Sequence, residues 1–141
     1  MIEAQKETPP LSERQTDWYL QTLVRLVNAN PIEFGITLFV DGLIVSGFLI
    51  SGSKYFEGLA EQIAKASGQE LADAFTASPK EVYSASNDEE GQPDLPGFIH
   101  LREARVFLPG QKPIPADGTL WRGKLVSISG FNFGAFEYGE H

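Results

Sequence analysis

The sequence predicts an α+β fold: an N-terminal helix, a strongly curved antiparallel sheet of about five strands, and a helical insert between strands 2 and 3. Three observations carry this prediction. Residues 35–51 have the pattern of a tight hairpin, the segments on either side of it have helical periodicity, and two later strand-like runs change phase part-way. Such changes of phase are typical of bulged strands that wrap around a small open barrel.

The first predicted element is a helix that ends near Asn28. Residues 1–11 are polar and contain adjacent prolines, so we expect a loose arm there. Ser12–Gln15 then fit a capping box. Apolar residues follow at spacings of three and four, which predicts one broad buried face; they are Leu20, Leu23, Val24 and Val27. Pro31 ends the helix, because proline disfavours helical geometry at the residue before it.

The hairpin has Asp41-Gly42 at its turn, a dipeptide that tolerates the positive φ angles of a type I′ turn. A two-residue turn fixes the register. The opposed pairs should be Val40 with Leu43, Leu38 with Val45, and Ile36 with Gly47, which places Ile36, Leu38, Val40, Leu43, Val45 and Leu49 on one side. The other side then carries Phe39, Ile44, Phe48 and Ile50. Because both sides are apolar, we expect a cover on the second one, either the N-terminal helix or the segment that follows.

The helical insert should span residues 53–78. Ser53 is placed to cap it, and Gly68 is a plausible stop that would separate a second short helix, which buries Leu71 and Phe75. Residues 84–97 are acidic and rich in Pro and Gly, which indicates a solvated loop.

Three further strand-like runs complete the chain. The run from Phe98 to Leu108 changes phase near Arg102 and Glu103, and a second run, 120–129, does so around Gly123. Residues 130–136 alternate aromatic and small side chains, as a last edge strand would. This layout resembles a small open, Sm-like barrel; the alternative is an open sheet with both helical segments on one face. At 141 residues, we expect a single domain over 1–141.

Composition argues against several classes of function. A net charge of −8 and a pI of about 4.7 argue against general binding to DNA or other nucleic acid. Residues 98–130 are a local exception, with five basic and two acidic side chains. The chain has no cysteine and no apolar run of the roughly 20 residues that span a bilayer, and its first 15 residues lack the pattern expected of a signal peptide. We therefore expect a soluble cytoplasmic protein without membrane contact.

The sequence carries little that indicates chemistry. His100 is the one internal histidine, and a lone strand histidine is more often structural than catalytic. Asp88, Glu89, Glu90 and Asp94 lack the spacing of a calcium loop, and no phosphate-binding or nucleophile motif occurs. We expect no enzyme activity, no metal site and no cofactor.

A contact surface is the better-supported kind of site. The predicted partner-binding residues are Arg102, Arg105, Trp121, Arg122 and Lys124. Trp121 is equally compatible with a place in the core. Exposed-edge aromatic candidates are Phe131, Phe133 and Phe136, with Tyr138 after them.

Two blocks of the sequence are similar to gas vesicle accessory proteins of the GvpU type: GITLFVDGLIVSGFLIS, and FIHLREARVFLPG with LWRGKLVSISGFNFGAF behind it. The resemblance implies a non-enzymatic role beside gas vesicles, the hollow protein shells that give bacteria buoyancy. It implies vesicle assembly or clustering in the cytoplasm, with the vesicle shell or other gas vesicle proteins as partners. The competing hypothesis is an Sm-like module that binds single-stranded RNA or another polyanion. A homo-oligomer with paired edge strands is compatible with either.

Overall fold

The structure is a computed structural model that describes residues 16–76 and 96–137. The elements in chain order are α1 (Trp18–Ala29), β1 (Phe34–Val40), β2 (Leu43–Ile50), α2 (Gly52–Ser67), α3 (Gln69–Thr76), β3 (Phe98–Phe107), β4 (Ile114–Lys124), a 3₁₀ turn (Leu125–Ser127) and β5 (Ile128–Phe133). The strands form one antiparallel sheet in the order β4-β3-β2-β1-β5. The predicted α+β fold, with its helical insert between strands 2 and 3, is confirmed.

Several predictions lie outside the described residues. These are the loose arm over 1–11, the capping box Ser12–Gln15, the acidic loop apart from Pro96 and Gly97, and Tyr138. The end of the insert beyond Thr76 lies outside them too.

The sheet is curved but not closed into a barrel. Within the described residues, the edge strands β4 and β5 pair only with β3 and β1. In a flat sheet those edges would lie about 19 Å apart, four strand spacings. The chain from Lys124 to Ile128 can span only about 14 Å. The sheet must therefore curl to let one 3₁₀ turn connect its two edges.

The central hairpin has the register that its turn predicts. Val40 lies opposite Leu43, Leu38 opposite Val45, and Ile36 opposite Gly47. Asp41 and Gly42 have φ angles of 49° and 84°, as a type I′ turn requires. The residues on the aliphatic face are therefore the predicted ones, although Leu43 at the turn is 42% exposed.

Helix α1 covers the aliphatic face of the sheet. It begins later than predicted, because the Asp17 carboxylate accepts a hydrogen bond from the Tyr19 N–H and caps the helix there. Its buried residues pack with the strands in one hydrophobic core: Leu20, Val24, Val27, Ile36, Leu38, Val45, Leu49, Ile99, Leu101, Ala104 and Leu125. The predicted apolar stripe of the helix thus faces the sheet.

The insert differs from the prediction in two details. Ser51, not Ser53, caps α2, because its hydroxyl accepts the Lys54 N–H at 3.1 Å. Gly68 ends α2 as predicted, with φ of 96°. Helix α3 follows, but it buries the small residues Ala72 and Thr76 rather than Leu71 and Phe75, which are 38% and 70% exposed.

The phase change in β3 is a bulge at Glu103, whose φ is 52° and beside which the pairing with β2 shifts register. Gly47 of β2 lies against this bulge. A Cβ added there would lie 2.8 Å from the Arg102 carbonyl oxygen and 2.9 Å from the Ala104 Cα. The β4 strand begins at Ile114, earlier than the predicted 120, because Ile114 pairs with Val106.

We predict that Gly47→Ala lowers the free energy of unfolding by about 1–3 kcal/mol, because backbone atoms occupy the space of the new methyl group. Gly130→Ala is the matched control. Gly130 also lies in a strand, but the nearest atom to a Cβ added there is a Phe39 ring carbon at 3.9 Å. The control substitution should therefore change the free energy of unfolding by no more than about 0.5 kcal/mol. Urea unfolding measures both. Equal effects of the two substitutions would contradict the close approach at Gly47.

Candidate functional site

Strands β3 and β4 bring three of the predicted basic residues to one face of the sheet. Arg102 and Arg105 lie on β3, and Arg122 lies on the neighbouring β4. We call these three residues the arginine face. In the ladders they pair with Phe48, Ser46 and His100, respectively, and all of these side chains lie on the side of the sheet opposite α1. Lys124 is exposed two residues further along β4.

The bulge at Glu103 decides that Arg102 and Arg105 share this face. Residues three apart on a regular strand point to opposite faces, because side chains alternate with a period of two. The extra residue in β3 restores the phase, so that both arginines lie on the same side. The change of phase in the sequence was the signal for this arrangement.

Each arginine of the face lies over an aromatic ring. The Arg102 guanidinium carbon is 4.6 Å from the centre of the Phe48 ring, and that of Arg105 is 5.4 Å from Phe107. Arg122 lies 3.8 Å from the Phe98 ring. Cation–π contacts of this kind contribute about 0.5–2 kcal/mol each.

Arg102 is held most firmly, because two carboxylates accept its hydrogen bonds. Its Nε donates to Glu33 Oε1 at 2.9 Å and its Nη1 to Glu103 Oε2 at 2.8 Å. Lys54 of α2 donates to the second oxygen of Glu33 at 2.8 Å. The hydrogen bond from Lys54, together with that from Arg102, lowers the pKa of Glu33 against a weaker opposing effect of burial. The charge of Arg102 is therefore balanced within the protein.

His100 lies beneath α2, between the arginine face and the insert. It is 1% exposed, and its ring centre is 4.8 Å from that of Tyr55. Burial, reinforced by the charge of Arg122, lowers the pKa of His100 to about 3. Arg122 Nη1 is 3.4 Å from Nε2 of the ring, and because a guanidinium only donates, Nε2 is the acceptor. His100 is thus neutral at physiological pH.

Trp121 is not part of the arginine face. It lies opposite Leu101 in the ladder and packs against the hydrophobic core. Its ring covers Gly123, where a Cβ would lie 2.3 Å from Trp121 Cη2. The absence of a side chain at Gly123 thus leaves room for the Trp121 indole. The change of phase that the sequence shows around Gly123 arises from the 3₁₀ turn at Leu125–Ser127.

The chain was compared with known protein families. The family described as "Gas vesicle protein GvpU-like" matches residues 17–136. The chain belongs to the GvpU-like family of gas vesicle proteins. No curated protein and no solved structure matches it. Within residues 16–76 and 96–137, none of the helices has the length and apolarity needed to cross a membrane.

The edge aromatic residues of this GvpU-like chain occupy different surroundings. Phe131 is half-buried, 6.1 Å from the Tyr19 ring, whereas Phe133 is 68% exposed and stacks on Phe34 at 4.8 Å. Phe136 lies beyond β5 on the other face of the sheet. Its ring is 5.9 Å from that of Phe107. The three candidates therefore do not form one patch.

A buried pair of hydroxyl groups holds the C-terminal segment on the arginine face. The Phe136 N–H donates to Ser46 Oγ at 2.6 Å, and the Thr37 hydroxyl donates to the Gly134 carbonyl at 2.8 Å. Ser46 and Thr37 are 2.8 Å apart, so the Ser46 hydroxyl is the donor between them. Arg105 adds a bond to the Phe136 carbonyl at 3.3 Å. Sequence reasoning missed this pair, although the predicted register already placed Thr37 opposite Ser46.

We predict that His100 makes the free energy of unfolding decrease as the pH is lowered from 7 to 5. The unfolded chain binds a proton with the ordinary pKa of 6.5, whereas the folded protein does so only near 3. The unfolded state therefore binds more protons as pH falls below 6.5, and the folded state loses about 2 kcal/mol by pH 5. Urea unfolding across this range measures the slope.

His100→Gln should remove that slope, whatever its effect on stability at pH 7. Because the pKa of Glu33 is lowered from its ordinary 4.5, Glu33 makes the free energy of unfolding depend on pH only below about that value. Above pH 5, the pH dependence therefore reports on His100. A His100 ring that titrates near pH 6.5 in the folded protein, followed by NMR, would contradict the assignment.

Proposed function

We propose that this protein is a non-enzymatic accessory protein of gas vesicles, which acts in vesicle assembly or clustering through protein–protein contacts. Membership of the GvpU-like family supports the association with gas vesicles. The arginine face is the observation that supports a contact role, because it orders three cations on aromatic rings on one side of an acidic protein. Ordered Arg and aromatic side chains lose little entropy when a partner binds.

We further propose that the partner is an acidic surface of the vesicle shell or of another gas vesicle protein. Arg105, Arg122 and Lys124 are the residues that would contact it. Arg102 supports this surface from within, because Glu33 and Glu103 already balance its charge. Trp121 contributes through the core rather than by contact.

The alternative function is binding of single-stranded RNA or another polyanion, and the same arginine–aromatic pairs favour it as the second candidate. The net charge of −8 disfavours it, because phosphate backbones would be repelled over most of the surface.

We expect the purified protein to float with isolated gas vesicles, to bundle them, and to dissociate as salt rises. Arg105→Glu combined with Lys124→Glu should weaken binding about tenfold at low salt. The control combines Arg25→Glu with Lys65→Glu, two exposed basic residues on α1 and α2 that give the same change of net charge. Equal losses in both double variants would contradict a specific surface.

Filter binding to a single-stranded RNA homopolymer separates the two functions. Retention of RNA that weakens steeply with salt, without flotation of the protein on vesicles, would replace the accessory function with the polyanion module. Flotation without RNA retention supports the accessory function.

A further inference from the structure

The two edge strands of the sheet, β4 and β5, differ in how well they are protected against pairing with a strand of another chain. Strand β4 contains Pro115 and charged residues, and its pairing with β3 shifts register twice. Prolines, charges and bulges are the devices that stop an edge strand from pairing with another chain. Strand β5 has the sequence ISGFNF, with no proline and no charge. Its one irregularity lies at its start, where Ile128 pairs with Val40.

The free backbone groups of β5 can be assigned from the ladder. The Gly134 N–H donates to the Gly35 carbonyl at 2.8 Å, and hydrogen-bonded pairs alternate along an antiparallel ladder. Asn132 therefore exchanges bonds with β1. Phe131 and Phe133, on either side of it, direct their N–H and C=O groups away from the sheet, and within the described residues β5 pairs with β1 alone.

Aromatic side chains line the same edge. Phe133 is 68% exposed, and Phe131 contacts Tyr19, which is 52% exposed. Trp18, 72% exposed, extends this row with its ring centre 5.6 Å from that of Tyr19. An exposed aromatic row beside unpaired strand groups is typical of an interface.

The end of the chain does not cover this edge as far as it is described. Gly134 has φ of 96° and turns the backbone. The Phe136 N–H then bonds to Ser46 on β2. Residues 134–136 thus cross the sheet away from the free side of β5.

We propose that β5 pairs antiparallel with β5 of a second copy of this chain, about a two-fold axis at Asn132. Two copies with a net charge of −8 each repel one another, and they meet with the least repulsion along a strand that has no charge. An antiparallel strand is self-complementary under a two-fold axis.

This register uses the outward backbone groups of both Phe131 and Phe133. Phe131 of each copy lies opposite Phe133 of the other copy. Each of these two pairs exchanges backbone hydrogen bonds across the interface. Asn132 then lies opposite Asn132 of the other copy in a non-hydrogen-bonded pair, in which the two Cα atoms are about 4.5 Å apart. The pairing uses no residue of the arginine face, so it can form in the absence of vesicles.

Light scattering of the purified protein, without vesicles, tests the dimer. The mass should rise with concentration from 15.5 kDa to twice that value. Phe133→Lys should keep it monomeric, because a charge one residue from the two-fold axis lies close to the same charge of the other copy and repels it. Ile114→Lys is the control, since Ile114 is an apolar residue 55% exposed on the other edge. A wild-type monomer at every concentration, or equal effects of the two substitutions, would overturn the proposal.

Disulfide crosslinking tests the register. The chain has no cysteine, so Asn132→Cys introduces a single thiol whose copy lies within disulfide distance. Under mild oxidation it should form a covalent dimer. Ser129→Cys lies on the same strand, but its copy would be about 20 Å away in this register. Crosslinking of Ser129→Cys as fast as Asn132→Cys would overturn the register, and so would a failure of Asn132→Cys to crosslink.

Discussion

The two-residue turn at Asp41-Gly42 is the constraint on which the rest of the sheet depends. It sets the register of the two innermost strands, and that register assigns every residue of β1 and β2 to one face. One face is aliphatic and is closed by α1. The other places Thr37 opposite Ser46, and so creates the hydroxyl pair that binds Gly134 and Phe136. A slip by one residue would exchange the two faces and remove both.

The bulge at Glu103 extends this division into β3. Without it, Arg102 and Arg105 would point to opposite sides, and one of the two would enter the core. The close approach of Gly47 accommodates the bulge from the neighbouring strand. The arginine face therefore depends on a local irregularity that two strands share.

The two proposed contacts differ in physical character. The arginine face would act through charge, which salt screens. The β5 edge would act through backbone hydrogen bonds and aromatic contacts, which salt hardly affects. A dimer through β5 would carry two arginine faces, and paired weak contacts gain avidity when both engage large particles.

Local sequence patterns were enough to predict the hairpin register, the apolar face of α1, the stop at Gly68 and the bulge near Glu103. Each of these follows from periodicity or from the backbone preferences of a few neighbouring residues. Long-range packing places Trp121 in the core, leaves Leu71 and Phe75 exposed, and takes residues 134–136 across the sheet. Those outcomes depend on contacts between residues far apart in the chain, which no local pattern encodes.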